Sequence, residues 1–382
     1  MISAGHLPIN DPMLLVPAMA AATEHLGFGL TSSIMQYHPF SFARLFSTLD
    51  HLSMGRVAWN IVTSFTQSAA RNFGLRDLPA HDERYEMAAE YCNLCYRRWE
   101  DSWADDAVVK DKRRGIYADP TKVRDIDHDG KDYSMHGCPL CEPSPQRTPV
   151  LFQAGASERG SDFAAEHAEC VFLMGPTPQI AGDYARNIRS RMTKFGRDPS
   201  DVLCFGSMKI ITGGTEAEAR AKYDKFYSEV SYVATLALIS GWTGVDFSRY
   251  EPDQPVDYIE TNAARTILHS FCATDSDRRW TLRDIATYVG MGGVGPVLVG
   301  APEQIADQPE AWTEVGVDGF NLSYSTMPNS YVDFIEGVVP VLQRRGRMQS
   351  SYRGGTLRQK LFERASSHMP LPHPAAAARR PW

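Results

Sequence analysis

No run of apolar residues in this 382-residue chain is long enough to cross a bilayer as a helix. The opening residues, Met1 to His6, lack the basic start and apolar stretch of a secretion signal, so a cytoplasmic, reducing setting is expected. A basic excess is also missing. The net charge is −7, which disfavours a nucleic-acid binder, because phosphate neutralisation needs a basic face. The seven cysteines are an odd count in a long chain and do not suggest a secreted disulfide framework. Neither a G-x-S-x-G elbow nor a Walker sequence occurs. What is present is the composition of a globular protein, 43% hydrophobic and 22% charged, in a length that suits one large barrel or two ordinary domains.

Strand-like and helix-like segments alternate. Asp11 to Leu26 has helical apolar spacing, with Asp11 and Pro12 suited to cap and first turn. Phe28 to Ser33 reads as a strand, Ser41 to Met54 as a helix stopping at Gly55, Val57 to Thr63 as a strand and Asp82 to Trp99 as a helix. The order resumes with strands at Val150 to Ala154, Cys170 to Met174 and Val202 to Thr212. These are followed by helices at Ser157 to His167, Thr177 to Phe195 and Thr215 to Glu229. Pro296 to Val299, a helix from Pro302, the strand Gly319 to Ser323 and a helix from Tyr331 to Arg345 close the series. Strict alternation implies parallel strands with helices outside, an α/β barrel. Two irregular stretches read as insertions, a hairpin-like one over 117–149 and a helical one over 231–295. Residues 1–362 thus form one barrel domain, and the Pro-, Ala- and Arg-rich tail over 363–382 is expected to be disordered.

The run Gly55-Arg56-Val57-Ala58-Trp59-Asn60-Ile61-Val62-Thr63-Ser64 is the most informative in the chain. It is a buried strand that ends in hydroxyl groups, and His81-Asp82-Glu83-Arg84-Tyr85 then opens a helix. Polar groups at a strand end, followed by a helix carrying His and Tyr, are how a β/α barrel assembles a site at one rim. His81 and Tyr85 are four apart and share a helix face. Read alone, they are a helix start and a packed aromatic. Gly155-Ala156-Ser157 follows a strand and opens another helix. Small residues there let a backbone approach a phosphate, although Ser157 is equally an ordinary cap.

The run from Phe42 to Ser64 resembles the luciferase-like flavin monooxygenases, in the branch of nitrilotriacetate monooxygenase component A and dibenzothiophene-sulfone monooxygenase. Further matches are Ser68 to Gly74, His81 to Tyr85, Gln153 to Ser157, Val339 to Gly346 and Gly355 to Arg358, so the resemblance extends from Asn10 to about Leu361. It implies a (β/α)8 TIM barrel with insertions, and a two-component monooxygenase. Reduced FMN from a separate flavin reductase would react with O₂ to a flavin C4a-peroxide that oxygenates a small sulfur-, amine- or alkane-type substrate. It also implies a homo-oligomer. The family barrel opens with a strand, a helix and a second strand, the last ending in an Asp near the flavin. The match here begins after them, so a barrel without that first unit is expected. The alternative is a catalytically silent relative, serving as a partner subunit or reflecting a mis-set start.

The resemblance also suggests roles. His81 is placed as the catalytic hydrogen-bond or proton donor at the flavin edge, and Tyr85 at the phosphate or ribityl chain. Asn60 and Thr63 suit the polar edge of the ring or the ribityl chain, or else cap a loop. Gly155, Ala156 and Ser157 form the phosphate cradle. His38, after the first strand, and Tyr324, after the last, are substrate-side candidates; His38 reads almost equally as a surface histidine. The pairs Cys92/Cys95 and Cys138/Cys141 have thiolate spacing, but the first lies in a helix and the two are far apart, so no metal is expected. Gly290 to Gly295 fits G-x-G-x-x-G in the wrong context, after a helix and before a strand, and reads as a loop.

Overall fold

The computed structural model describes residues 9–64, 66–173, 175–243, 245–255, 279–291 and 295–382. Helix α1 (Pro12–Ala21) starts where Asp11 Oδ1 accepts from the Met13 amide at 2.9 Å, with proline in the first turn. Then follow β1 (Phe28–Ser33), α2 (Pro39–Leu52), β2 (Val57–Val62), α3 (Gln67–Asn72) and α4 (His81–Tyr96). The first insertion holds two small antiparallel hairpins, β3 (Val108–Asp111) with β4 (Ile116–Ala118), and β5 (His128–Asp129) with β6 (Ser134–Met135). The alternation resumes with β7 (Val150–Gln153), α5 (Glu158–His167), β8 (Cys170–Leu173), α6 (Pro178–Met192), β9 (Leu203–Thr212), α7 (Glu216–Ser228) and α8 (Tyr232–Thr243). After a helix over Leu282–Gly290 come β10 (Val297–Gly300), a helix over Pro302–Glu314 and β11 (Gly319–Ser323).

Seven of these strands form one parallel sheet in the order β1-β2-β7-β8-β9. β9 is ten residues long and borders two further strands, β11 along its first part and β10 along its last. Among the described residues β1 and β11 each bond a strand on one side only. Among the described residues the sheet is therefore a parallel half-barrel.

Side-chain alternation gives this sheet two faces. Val57, Trp59 and Ile61 pack outward with Phe42, Phe46 and Tyr91 of the helices. Phe42 and Trp59 have ring centroids 4.5 Å apart, and the Trp59 indole donates to the Ser32 carbonyl at 3.0 Å. Cys204, Met208 and Ile210 of β9 pack outward against Ala181, Ala185 and Ile188 of α6. The opposite, concave face carries Ala58, Val150, Phe152, Cys170 and Phe205, and is floored by Leu357, Leu361 and Phe362 of a short helix. Arg358 of that helix is fully buried. It pairs with Glu169 at 2.7 and 2.9 Å and donates to the carbonyls of Thr148 and Pro149 at 3.0 Å.

The tail is not loose. His373 caps the helix Pro374–Ala377 and reaches the His167 carbonyl at 2.8 Å, while Arg379 and Arg380 bond Glu100 and Asp101. Its alanines fit the small gaps against α4, which is why a composition typical of disorder packs here. Residues 256–278 of the second insertion, and Gly292, Gly293 and Val294 of the glycine-rich run, lie outside the described residues, as does Met174. No helix among the described residues is long and apolar enough to cross a membrane.

Candidate active site

The densest polar constellation lies where β7 meets α5. Gln153 ends the strand, and its Oε1 accepts from the Gly155 amide at 2.7 Å, which bends the chain. Ser157 then caps α5 in extended conformation, its Oγ accepting from the Gly160 amide at 3.0 Å. The next amides, of Glu158 and Arg159, have no carbonyl a turn behind them and face outward with the positive end of the helix dipole. Ser161 Oγ, one residue beyond Gly160, is buried without a hydrogen-bond partner among the described residues.

Tyr85 reaches this turn from α4. It is 6% exposed and packs on Phe163 of α5 with ring centroids 5.5 Å apart. A Cβ built on Gly155 or on Gly160 would lie 2.6 Å from the Tyr85 hydroxyl, and one on Gly160 would also lie 3.0 Å from Ser157 Oγ. The two glycines thus let the Tyr85 hydroxyl come close to the turn, a cradle from which any side chain would displace it. Burial pushes the Tyr85 phenol up from its ordinary value, while hydrogen bonding with Ser157 and Gln153 and the charges of Arg84 and Arg159 pull it back. The phenol is neutral and able to donate.

His81 stands one turn before Tyr85, with the rings edge to face at 5.2 Å. Its Nδ1 lies 2.6 Å from Asp82 Oδ1 and its side chain is 39% exposed, so the ring is both oriented and accessible. Asn60 is half-buried on the concave face of β2. Its Nδ2 donates to Thr31 Oγ1 at 3.0 Å, and its Oδ1 is buried with no partner among the described residues. Thr63 follows β2 and is half-buried. Beside it Ser64 takes a left-handed φ of 61°, with its Oγ 2.6 Å from Ser33 Oγ.

Two candidates stand apart. His38 is the cap of α2, its Nδ1 accepting from the Phe40 amide at 3.3 Å, and its ring meets Tyr133 edge-on at 6.1 Å. Tyr324 is exposed beyond β11, near Tyr331 at 5.9 Å, and lends its carbonyl to Lys209 Nζ at 2.8 Å. Cys92 and Cys95 are fully buried on α4, where burial pushes both thiols up, and they act as small apolar residues. No group of three or more His, Cys, Asp or Glu among the described residues is placed to hold a metal.

Gln153, Arg159 and Gly160 were not singled out from the sequence. A polar residue ending an apolar strand, and a glycine at the third position after a serine cap, were the available signals.

With this geometry in hand, the relatives can be placed. A profile of the luciferase-like monooxygenase family matches residues 1–319. Dimethyl-sulfide monooxygenase of Hyphomicrobium sulfonivorans is 47% identical over 98% of this chain and 78% of its own length. Long-chain alkane monooxygenase of Geobacillus thermodenitrificans is 43% identical over 98% of this chain and 81% of its own. A crystal structure of a riboflavin lyase with modified FMN and riboflavin superposes with a TM-score of 0.90 at 37% identity, covering 98% of this chain and 83% of that one. The chain belongs to the luciferase-like monooxygenase family and is an enzyme of the flavin-dependent monooxygenase class.

Proposed function

We propose that the protein is the oxygenase component of a two-component system. It takes reduced FMN from a separate reductase in the cytoplasm and inserts one oxygen atom of O₂ into a small organic molecule. The observation that carries this reading is the cradle of Tyr85, Gly155, Ser157 and Gly160 at the start of α5, on the same rim as Asn60 and Thr63. The fit is chemical. An anion suits free helix-end amides, Ser157 and a neutral Tyr85 hydroxyl. The unpaired Asn60 Oδ1 suits an N–H donor such as the ring imide of a flavin.

Reduced flavin, when bound, supplies the electrons that activate oxygen. The protein's own groups do the rest. The start of α5 fixes the phosphate, with Ala156 contributing backbone to the turn. Asn60 and Thr63 orient the ring, and the aromatic lining of Phe152, Phe172 and Phe205 on the concave face keeps water away. His81, held by Asp82, holds or delivers a proton beside Tyr85. His38 and Tyr324 lie on the substrate side of the rim, and the active form is a homo-oligomer. The catalytically silent alternative gains no support from these features.

Reduced FMN titrated anaerobically into the full chain should quench its tryptophan fluorescence saturably, and riboflavin should bind at least tenfold more weakly. Absence of saturable binding would overturn the reading.

A further inference from the structure

Strand β9 contains a single cation, Lys209, in the run Leu203-Cys204-Phe205-Gly206-Ser207-Met208-Lys209-Ile210-Ile211-Thr212. Cys204, Met208 and Ile210 point to the helices, so Lys209 projects to the concave face, the face that also carries Asn60. β2 and β9 are three strand spacings apart, about 14 Å along the sheet. That distance leaves room for a flavin ring and a small substrate between them.

Lys209 is 5% exposed. Its ammonium group has three donors, and the hydrogen bond it makes is to the Tyr324 carbonyl at 2.8 Å. Among the described residues it has no carboxylate partner, and desolvation alone perturbs it. Lysine is rarely left in this state, because a buried cation without a counter-charge is costly. The side chain lines a cavity of about 790 Å³ between α7, α8 and the segment after β11. Ser325 lines the same cavity, one residue beyond Tyr324. Its Oγ is buried and has no hydrogen-bond partner among the described residues. Lys222 on this wall is already committed, to Asp333 at 2.7 Å and to the Thr212 carbonyl at 2.9 Å. A cation without a carboxylate partner and a hydroxyl without any partner, both among the described residues, therefore line one cavity.

We propose that Lys209 and Ser325 form an anion anchor, and that the molecule oxygenated here carries a carboxylate at the end remote from the reacting atom. One carboxylate oxygen takes the Lys209 ammonium and the other the Ser325 hydroxyl, which gives the cation a counter-charge and the hydroxyl a partner. The apolar part of the cavity, Phe226, Val230, Leu238 and Val289, takes the carbon chain. Such a substrate differs in class from a neutral sulfide or an alkane. The inference rests on the oxygenase reading and specifies its substrate. Burial lowers the Lys209 pKa to about 8, so the amine still carries its charge at neutral pH.

The test is calorimetry on the full chain with matched probes. These are short, medium and long saturated carboxylates and 3-(methylthio)propanoate, each against its own primary amide. At least one acid should bind about tenfold more tightly than its amide. Lys209→Met should bring the two within about twofold, and Ser325→Ala should reduce the preference about threefold. If no acid is preferred to its amide, or if the preference survives Lys209→Met, the anchor is wrong. Should Lys209→Met not fold, Lys209→Gln and Ser325→Ala carry the same comparison. Reduced FMN titrated into the same proteins separates the two ideas. Lost FMN binding overturns the oxygenase reading and with it the claim that the bound acid is oxygenated, whereas intact FMN binding without acid preference overturns the anchor alone.

Discussion

The Tyr85 hydroxyl lies 2.6 Å from the point that a Cβ on Gly160 would occupy. One residue from α4 and one from α5 thus approach more closely than any residue but glycine would allow. Gly160→Ala should push the phenol out of place and disturb the Ser157 cap. The expected outcome is at least a tenfold loss of reduced-FMN affinity, with a stability cost of about 1–3 kcal/mol in urea unfolding. Unchanged FMN affinity would mean that the cradle holds something else.

Ser157→Ala removes a helix cap and, on the proposed reading, a donor to the phosphate. It should cost about 1 kcal/mol of stability and weaken FMN several-fold while leaving riboflavin almost unaffected. Tyr85→Phe keeps the packing on Phe163 and should show the same FMN-against-riboflavin contrast with little change in unfolding midpoint. Equal weakening of both flavins would move the phosphate away from α5.

His81 is oriented by Asp82 but packs little, so His81→Gln should leave the fold and flavin affinity intact. Turnover should fall about 100-fold or more, the usual contribution of a positioned proton donor. Single-turnover oxygen consumption with prebound reduced FMN reads this directly, and wild-type turnover in the variant would remove His81 from the chemistry.

Lys209 has a folded-state pKa pushed down to about 8 from an ordinary 10.5, because burial penalises its charge. Between those values the unfolded chain holds a proton that the native protein has shed. Stability contributed by this site therefore rises with pH across that window, and the full penalty stands below it. Lys222, Lys225, Glu229 and Asp333 line the same cavity and share its field. Lys209→Met should stabilise the protein at pH 7 by about 2 kcal/mol, after about 1 kcal/mol for the lost hydrogen bond to Tyr324. The advantage should shrink above pH 8. A variant less stable than wild type at pH 7 in urea unfolding would contradict this account.

Glu169→Gln leaves Arg358 fully buried with its carbonyl partners but without its carboxylate. Breaking a buried pair from one side costs about 3–5 kcal/mol. The unfolding midpoint should drop sharply, while the flavin affinity of the protein that remains folded should be unaltered. A midpoint within error of wild type would show that the charge is dispensable there.

The strands and helices that build the sheet were legible because apolar period and caps agree. Asp11, Ser157, Thr177 and Thr215 each cap the helix their position foretells. The turn proposed to hold a phosphate was legible in part. Gly155 and Ser157 carry a local signal, but the role of Gly160 depends on Tyr85 arriving from a helix about 70 residues earlier, which no local pattern encodes. His38 shows the converse. Its sequence neighbourhood is polar and loop-like, yet Pro39 follows it and makes it a cap. The tail misled through composition, since alanine and proline signal disorder only where nothing waits to receive them. Lys209 was not singled out from the sequence; a lone cation in an apolar strand was the available signal, while its lack of a carboxylate partner among the described residues is a property of three dimensions.

Glu100 is completely buried, and the cation facing it is Arg379, which comes from 279 residues further along the chain. The Thr148 amide and hydroxyl donate to the same carboxylate at 3.3 and 2.7 Å, so groups far apart in the chain converge on one buried charge. The turn after α4, and with it the helix that carries Tyr85, is thereby fastened to a segment 279 residues further along, so loosening that segment leaves a charge without its counterpart in the interior.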